Sequence, residues 1–239
     1  MRRLGLVLVA ALAASFAIAQ QRPPMSTPAL GLGAKLPQPA DLLRPFDTPL
    51  PLLLKTAADP QRIEAVHCAD WLKHRAAAVG SDNDAAWRVV RFQTVPCEAI
   101  AVLGQARPAA QSALPDALAR ELGTATYPGA LWPAPSAEAQ RRQSAPGMTL
   151  ARASGLARWK TATDGTLTLS NKRWRVNLTL LARGDFDGDG WEDVAYRWQA
   201  EALQGSYADS RLVLLTRRAG QAGYTLIDAE PLLRAAAGK

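Results

Sequence analysis

The sequence predicts an α+β fold: a mixed helix and strand region, then an antiparallel β meander of about five strands with an acidic loop between two of them. Two apolar–polar alternations carry most of that prediction. In residues 173–181, Trp174, Val176, Leu178 and Leu180 alternate with Arg173, Arg175, Asn177 and Thr179. In residues 194–201, Val194, Tyr196, Trp198 and Ala200 alternate with Ala195, Arg197, Gln199 and Glu201. Period two places successive side chains on opposite faces of a strand, so each segment reads as half-buried. The third observation is punctuation: Asp164-Gly165 and Asn171-Lys172 supply turn chemistry between the runs.

Taken in order, the chain opens on Arg2 and Arg3, an apolar run over 4–18, and the A-x-A triplet Ala17-Ile18-Ala19. That pattern predicts a signal peptide over 1–19, cleaved after Ala19. The competing reading, an uncleaved anchor, asks for a longer apolar run than this one. No cysteine follows the cleavage site to take a lipid, and no later segment has the length and apolarity of a membrane span. The expected location is the periplasm or the extracellular space.

Residues 20–60 hold nine prolines and no sustained period, which predicts a Pro-rich, largely disordered linker, with Leu50 to Leu54 able to dock on the folded body. About 180 residues remain, enough for one sizeable core or two small ones. Within 61–149 the expectation is a mixed region. A helix opens at Asp59-Pro60 and runs to Ala77, with Ile63, Val66, Trp71 and Leu72 on its apolar side. Residues 81–84 offer capping or turn chemistry, 86–95 fit strand or helix, and Pro96 starts a short helix over 97–105. A further helix falls at 115–122, and 126–149 is a Pro-, Ala- and Gly-rich connection. Residues 150–239 form the β region, with strands at 166–169, 173–181, 194–201, 211–216 and 224–227.

Cys68 and Cys97 are the two cysteines, and an oxidising compartment favours pairing them. Closing a loop of about 30 residues contributes roughly 3–4 kcal/mol on the chain-entropy argument. A catalytic thiol based on His67 or His74 is the alternative. Neighbouring positions on a helix diverge by about 100°, which sets His67 away from Cys68. Zinc would need more His and Cys than the chain holds.

The acidic stretch is Asp185-Phe-Asp187-Gly-Asp189-Gly-Trp191-Glu-Asp193. Its aspartates stand at positions 1, 3, 5 and 9, Gly190 at 6, and the Trp191 carbonyl at 7. Ca²⁺ takes six to eight oxygens at about 2.3–2.6 Å, and alternate acids in a tight turn supply them. Five acids in nine residues repel one another unless a cation intervenes, and a solvated acidic turn is the alternative. An EF-hand would need a Glu at position 12, where Tyr196 stands, and helical flanks, where strands are predicted.

Residues 184–194 resemble the calcium loop of FG-GAP and VCBS-type repeats, the blades of integrin-like β-propellers. The resemblance implies that Asp185, Asp187, Asp189 and Asp193 bind Ca²⁺ between two strands. It covers about 11 residues closely and about 60 loosely. No Phe-Gly or Gly-Ala-Pro signature flanks the loop and no second copy follows, whereas a propeller needs several blades to close. The motif transfers without the fold.

Charge is formally +7, and +5 once Arg2 and Arg3 leave with the leader. Residues 151–183 carry seven Arg or Lys against Asp164 alone, so Arg173 and Arg175, near Trp159 and Trp174, form a candidate polyanion face. The alternative is that both arginines are ordinary solvent-facing residues that partly neutralise the acidic loop. Arg183-Gly184-Asp185 spells an integrin-binding tripeptide, but its Asp is the first candidate metal ligand. Asn177-Leu178-Thr179 fits a glycosylation acceptor inside a predicted strand. There is no Gly-x-Ser-x-Gly elbow, no phosphate-cradling loop and no His-rich motif, and neither histidine lies near the aspartates in sequence. The expectation is an exported, non-catalytic, calcium-binding module that engages a protein or an envelope glycan, nucleic acid being disfavoured. The alternatives are a calcium-dependent envelope hydrolase and a polyanion or polysaccharide binder.

Overall fold

The computed structural model describes residues 38–57, 59–115, 126–155, 157–161 and 166–237. The predicted signal peptide, the first part of the linker and all but the first residue of the 115–122 helix lie outside these residues.

The proline-rich stretch departs from expectation first. After a 3-10 turn at Pro39–Leu43, strand β1 (Pro45–Leu54) forms the middle of a three-stranded sheet with β2 (Gln61–His67) and β3 (Ala78–Gly80). Leu50, Leu52 and Leu54 point inward and are buried, so this part of the predicted linker is core. Prolines are tolerated because the ladder is incomplete where they stand. Pro49 falls in the register shift between Pro45 and Leu50, and β3 pairs only with Leu53 and Leu54, leaving one side of β1 free at Pro51.

The helix predicted from residue 59 begins at Cys68. Upstream, Ala65 is buried while Arg62, Glu64 and Val66 are exposed, and that period of two gives a strand. The switch to helix α1 (Cys68–His74) is set by a capping box: His67 Nδ1 accepts from the Asp70 amide, and the Asp70 carboxylate accepts from the His67 amide. Next, α2 (Asp84–Leu103) merges the two elements predicted on either side of Pro96, with Asn83 as its N-cap. A proline inside a helix costs about 3 kcal/mol. Here the residues on both sides, Val95 and Cys97, are fully buried, and Cys97 is bonded to Cys68. The predicted disulfide therefore ties the start of α1 to the middle of α2. Arg75 adds a bidentate contact to Glu230 in α5 (Glu230–Ala237).

The C-terminal sheet is a meander of six strands, one more than predicted: β4 (Arg158–Thr161), β5 (Leu167–Ser170), β6 (Trp174–Gly184), β7 (Asp193–Ala202), β8 (Ala208–Thr216) and β9 (Thr225–Ile227), paired antiparallel in chain order. It is buried on both faces. Val176, Leu178, Val194, Tyr196 and Trp198 pack with Tyr127, Leu131 and Leu150 on one side. On that side the segment predicted as plain connection carries two short helices, α3 (Ala137–Gln143) and α4 (Leu150–Ser154). A register shift between Leu180 and Ala182 brings Leu181 and Ala182 to the other face, where Ala195, Leu212 and Leu214 meet α2, α5 and the leucines of β1. The helices α1, α2 and α5 thus lie between the two sheets.

Candidate metal centre

The β6–β7 ladder ends at the pair Gly184–Asp193, and the acidic stretch is the loop beyond it. Gly188 (φ 80°) and Gly190 (φ 87°) occupy the left-handed region that side chains avoid, and they turn the chain twice within eight residues. Local bonds fix the loop. Asp185 Oδ1 accepts from the Gly188 amide at 2.7 Å and Oδ2 from the Gly190 amide at 3.0 Å. Asp187 Oδ1 accepts from the Asp189 amide at 3.1 Å, and Asp189 Oδ1 from the Trp191 amide at 2.8 Å. A strap from the end of α2 braces the outside. Arg107 exchanges two backbone bonds with Asp185, Ala110 and Gln111 donate to the Gly190 carbonyl, and Glu192 donates to Gln111.

This framework sorts the five acids into two groups. Glu192 is buried against a bidentate Arg183, at 2.8 and 3.0 Å, and accepts from Ser112 Oγ at 2.6 Å. Asp189 turns Oδ2 to Arg218, at 2.5 and 2.9 Å. Each of these two acids therefore has its own guanidinium. Asp185, Asp187 and Asp193 have no basic side chain in ion-pair range among the described residues, and one carboxylate oxygen from each lies within 4.8 Å of the others. Oxygens opposed across one Ca²⁺ stand roughly 4.6–5.2 Å apart, so three carboxylates at this spacing can share an ion. The group can hold a metal.

Asp193 is the decisive member. It has no solvent exposure, Oδ2 accepts from the Phe186 amide at 2.9 Å, and Oδ1 has no hydrogen-bond partner. The Thr216 hydroxyl, across the ladder in β8, stands close enough to favour the charged form but not in hydrogen-bond geometry. Burial pushes the Asp193 carboxyl up to about 7, and the charges of Asp187 and Asp189 push the same way against the Phe186 amide. Asp187, though exposed, is also raised, by desolvation first. A buried carboxylate oxygen with no donor costs free energy unless a cation meets it.

No protein-family model, curated protein or solved structure matches this chain. The site is therefore read from its own geometry.

The remaining predicted residues are placed as follows. Trp191, at position 7, lies beside Gln111 in a short parallel bridge. Cys68 and Cys97 form the disulfide, which leaves no free thiol among the described residues. Arg173 stands in the bend just before β6 and Arg175 near the start of that strand; Arg175 is exposed and paired with Glu201 at 2.7 Å. Sequence reasoning missed Arg218, Arg183 with Ser112, and the 107–111 strap. Of these, only Arg183 carried a signal, as the base nearest the acidic run in sequence.

Proposed function

We propose that the loop is a Ca²⁺ site and that the protein is an exported, non-catalytic binding or assembly module whose β6–β7 hairpin the ion pins to the strap from α2. One observation carries the reading: Asp193 has no solvent exposure and an Oδ1 without a hydrogen-bond partner, and its carboxylate offers an oxygen within 4.8 Å of oxygens of Asp185 and Asp187. An all-oxygen donor set of irregular shape suits Ca²⁺, which accepts six to eight ligands, better than Mg²⁺, which demands a near-ideal octahedron. Asp185, Asp187 and Asp193 would hold the ion, with the Trp191 carbonyl and water completing its shell. Asp189 would join by exchanging Arg218 for the metal, as the FG-GAP-like spacing implies. The ion would supply charge neutralisation and a fixed crossing between hairpin and strap.

Export is supported by the disulfide, since such bonds persist in oxidising compartments, and by the leader-like sequence over 1–19. Among the described residues no helix is long and apolar enough to cross a membrane. The test is thermal unfolding in EDTA, then across a Ca²⁺ titration with Mg²⁺ as control. The reading expects the melting temperature to climb with Ca²⁺ alone, by mass action, and Asp187→Ala to abolish the climb. An unchanged melting temperature up to several millimolar would reduce the loop to an acidic turn.

A further inference from the structure

The far end of the β6–β7 hairpin holds a second group of residues. Helix α2 covers only part of its face of the sheet, and beyond it the face turns polar. Between α2 and strands β6–β8 lies a cleft of about 290 Å³ lined by Arg88, Phe92, Arg175, Asn177, Gln199 and Asp209, among others. Its size sits at the small end of the ~300–1,000 Å³ typical of ligand sites.

The pairing register explains the row of planar side chains. Arg175 lies opposite Glu201, and Asn177 opposite Gln199. Asn177 Oδ1 accepts from Thr168 at 2.8 Å, which directs its two N–H donors away from β5. Gln199 makes no side-chain hydrogen bond among the described residues. Two residues along the same face, Arg197 stacks its guanidinium on the Phe92 ring at 4.8 Å. Its Nε is buried without a partner, and no carboxylate offsets its desolvation. Arg88 donates only to the Ser206 carbonyl. Arg91 and Arg175 have acids, Asp209 and Glu201; Arg88 and Arg197 have none.

We infer that this cleft binds a uronate-bearing oligosaccharide, its carboxylate on Arg88 and its hydroxyls on the Asn177 and Gln199 amides. Among the described residues Arg88 has no acid of its own and donates only to a backbone carbonyl, which leaves guanidinium N–H groups for an anion. Side-by-side amides each offer a donor and an acceptor, which matches neighbouring hydroxyls and gives a simple polyanion nothing to use. The exposed edge of Phe92 provides apolar contact for a sugar C–H face. This inference is independent of the metal site, which occupies the opposite end of the hairpin.

The experiment is calorimetric titration of the full chain with tetragalacturonate in metal-free buffer. Its methyl ester serves as the uncharged control and a polyphosphate as the sugar-free anion. The expected result is saturable binding of the tetrasaccharide that weakens with salt, with no binding of the ester. Arg88→Ala and Asn177→Ala should each weaken it at least tenfold. Asp187→Ala, which removes a metal ligand, should bind as the parent does. Equal binding of polyphosphate together with an indifferent Asn177→Ala would overturn the sugar assignment and leave a basic patch. Absence of tetrasaccharide binding by the folded parent would overturn the site itself.

Discussion

Asp193→Asn should stabilise the protein without calcium and lose most of that advantage with it. The carboxyl is held near 7 by burial, against an ordinary value of about 3.9. Because the folded state holds the proton more tightly than the unfolded chain, stability is greatest below the ordinary value and falls as pH rises toward about 7. At pH 7.5 without metal, keeping the buried charge costs on the order of 4 kcal/mol. Asparagine removes that charge and retains an oxygen for the Phe186 amide. In EDTA the variant should therefore melt higher than the parent, by roughly 8–16 °C at the ~2–4 °C per kcal/mol of a domain this size. In Ca²⁺ at a hundredfold excess over its dissociation constant, the parent gains about 2.7 kcal/mol by mass action. The variant, short of the central ligand, gains little. Differential scanning calorimetry at pH 5 and 7.5, in EDTA and in Ca²⁺, reads all four combinations. At pH 5 in EDTA the advantage of the variant should shrink, since the parent is then mostly protonated. A variant less stable than the parent in EDTA at pH 7.5, or one that keeps the whole calcium increment, would refute the reasoning.

Other perturbations test neighbouring parts. Arg218→Ala frees Asp189 from its guanidinium, so Ca²⁺ affinity measured by competition with a chelating dye should rise several-fold; an unchanged or weaker affinity would exclude Asp189 from the shell. Leu52→Ala removes a fully buried side chain of β1 and should destabilise by about 2–5 kcal/mol in urea unfolding, whereas a loss below about 0.5 kcal/mol would return β1 to the linker. Replacing Cys68 and Cys97 together by Ala should lower stability by roughly 3–4 kcal/mol, with no further loss when reductant is added.

The β region was legible because its strands carry their burial in alternate residues. Val176, Leu178, Tyr196 and Trp198 face the core as the alternation required, and no long-range partner had to be guessed. The acidic loop was equally local: its glycines and aspartates set its own geometry. The first half failed where a tertiary contact overrode a local signal. Counting prolines hid the Leu50, Leu52 and Leu54 alternation, which becomes a strand only because β2 and β3 return to pair with it. Pro96 marked a boundary by propensity, but burial on both sides carries α2 through it. The division of the five acids into three that converge and two already neutralised depends on Arg183 and Arg218, and Arg218 is brought in by the β8–β9 connection. No spacing rule in the sequence reports that.

The most direct test of the central claim is a calorimetric titration of Ca²⁺ into EDTA-stripped protein, run in parallel on the parent and on Asp187→Ala. The account predicts one ion per chain for the parent, a much weaker response to Mg²⁺, and loss of binding in the variant. Absence of a binding isotherm in the folded parent up to several millimolar, or an isotherm unaltered by Asp187→Ala, would contradict it.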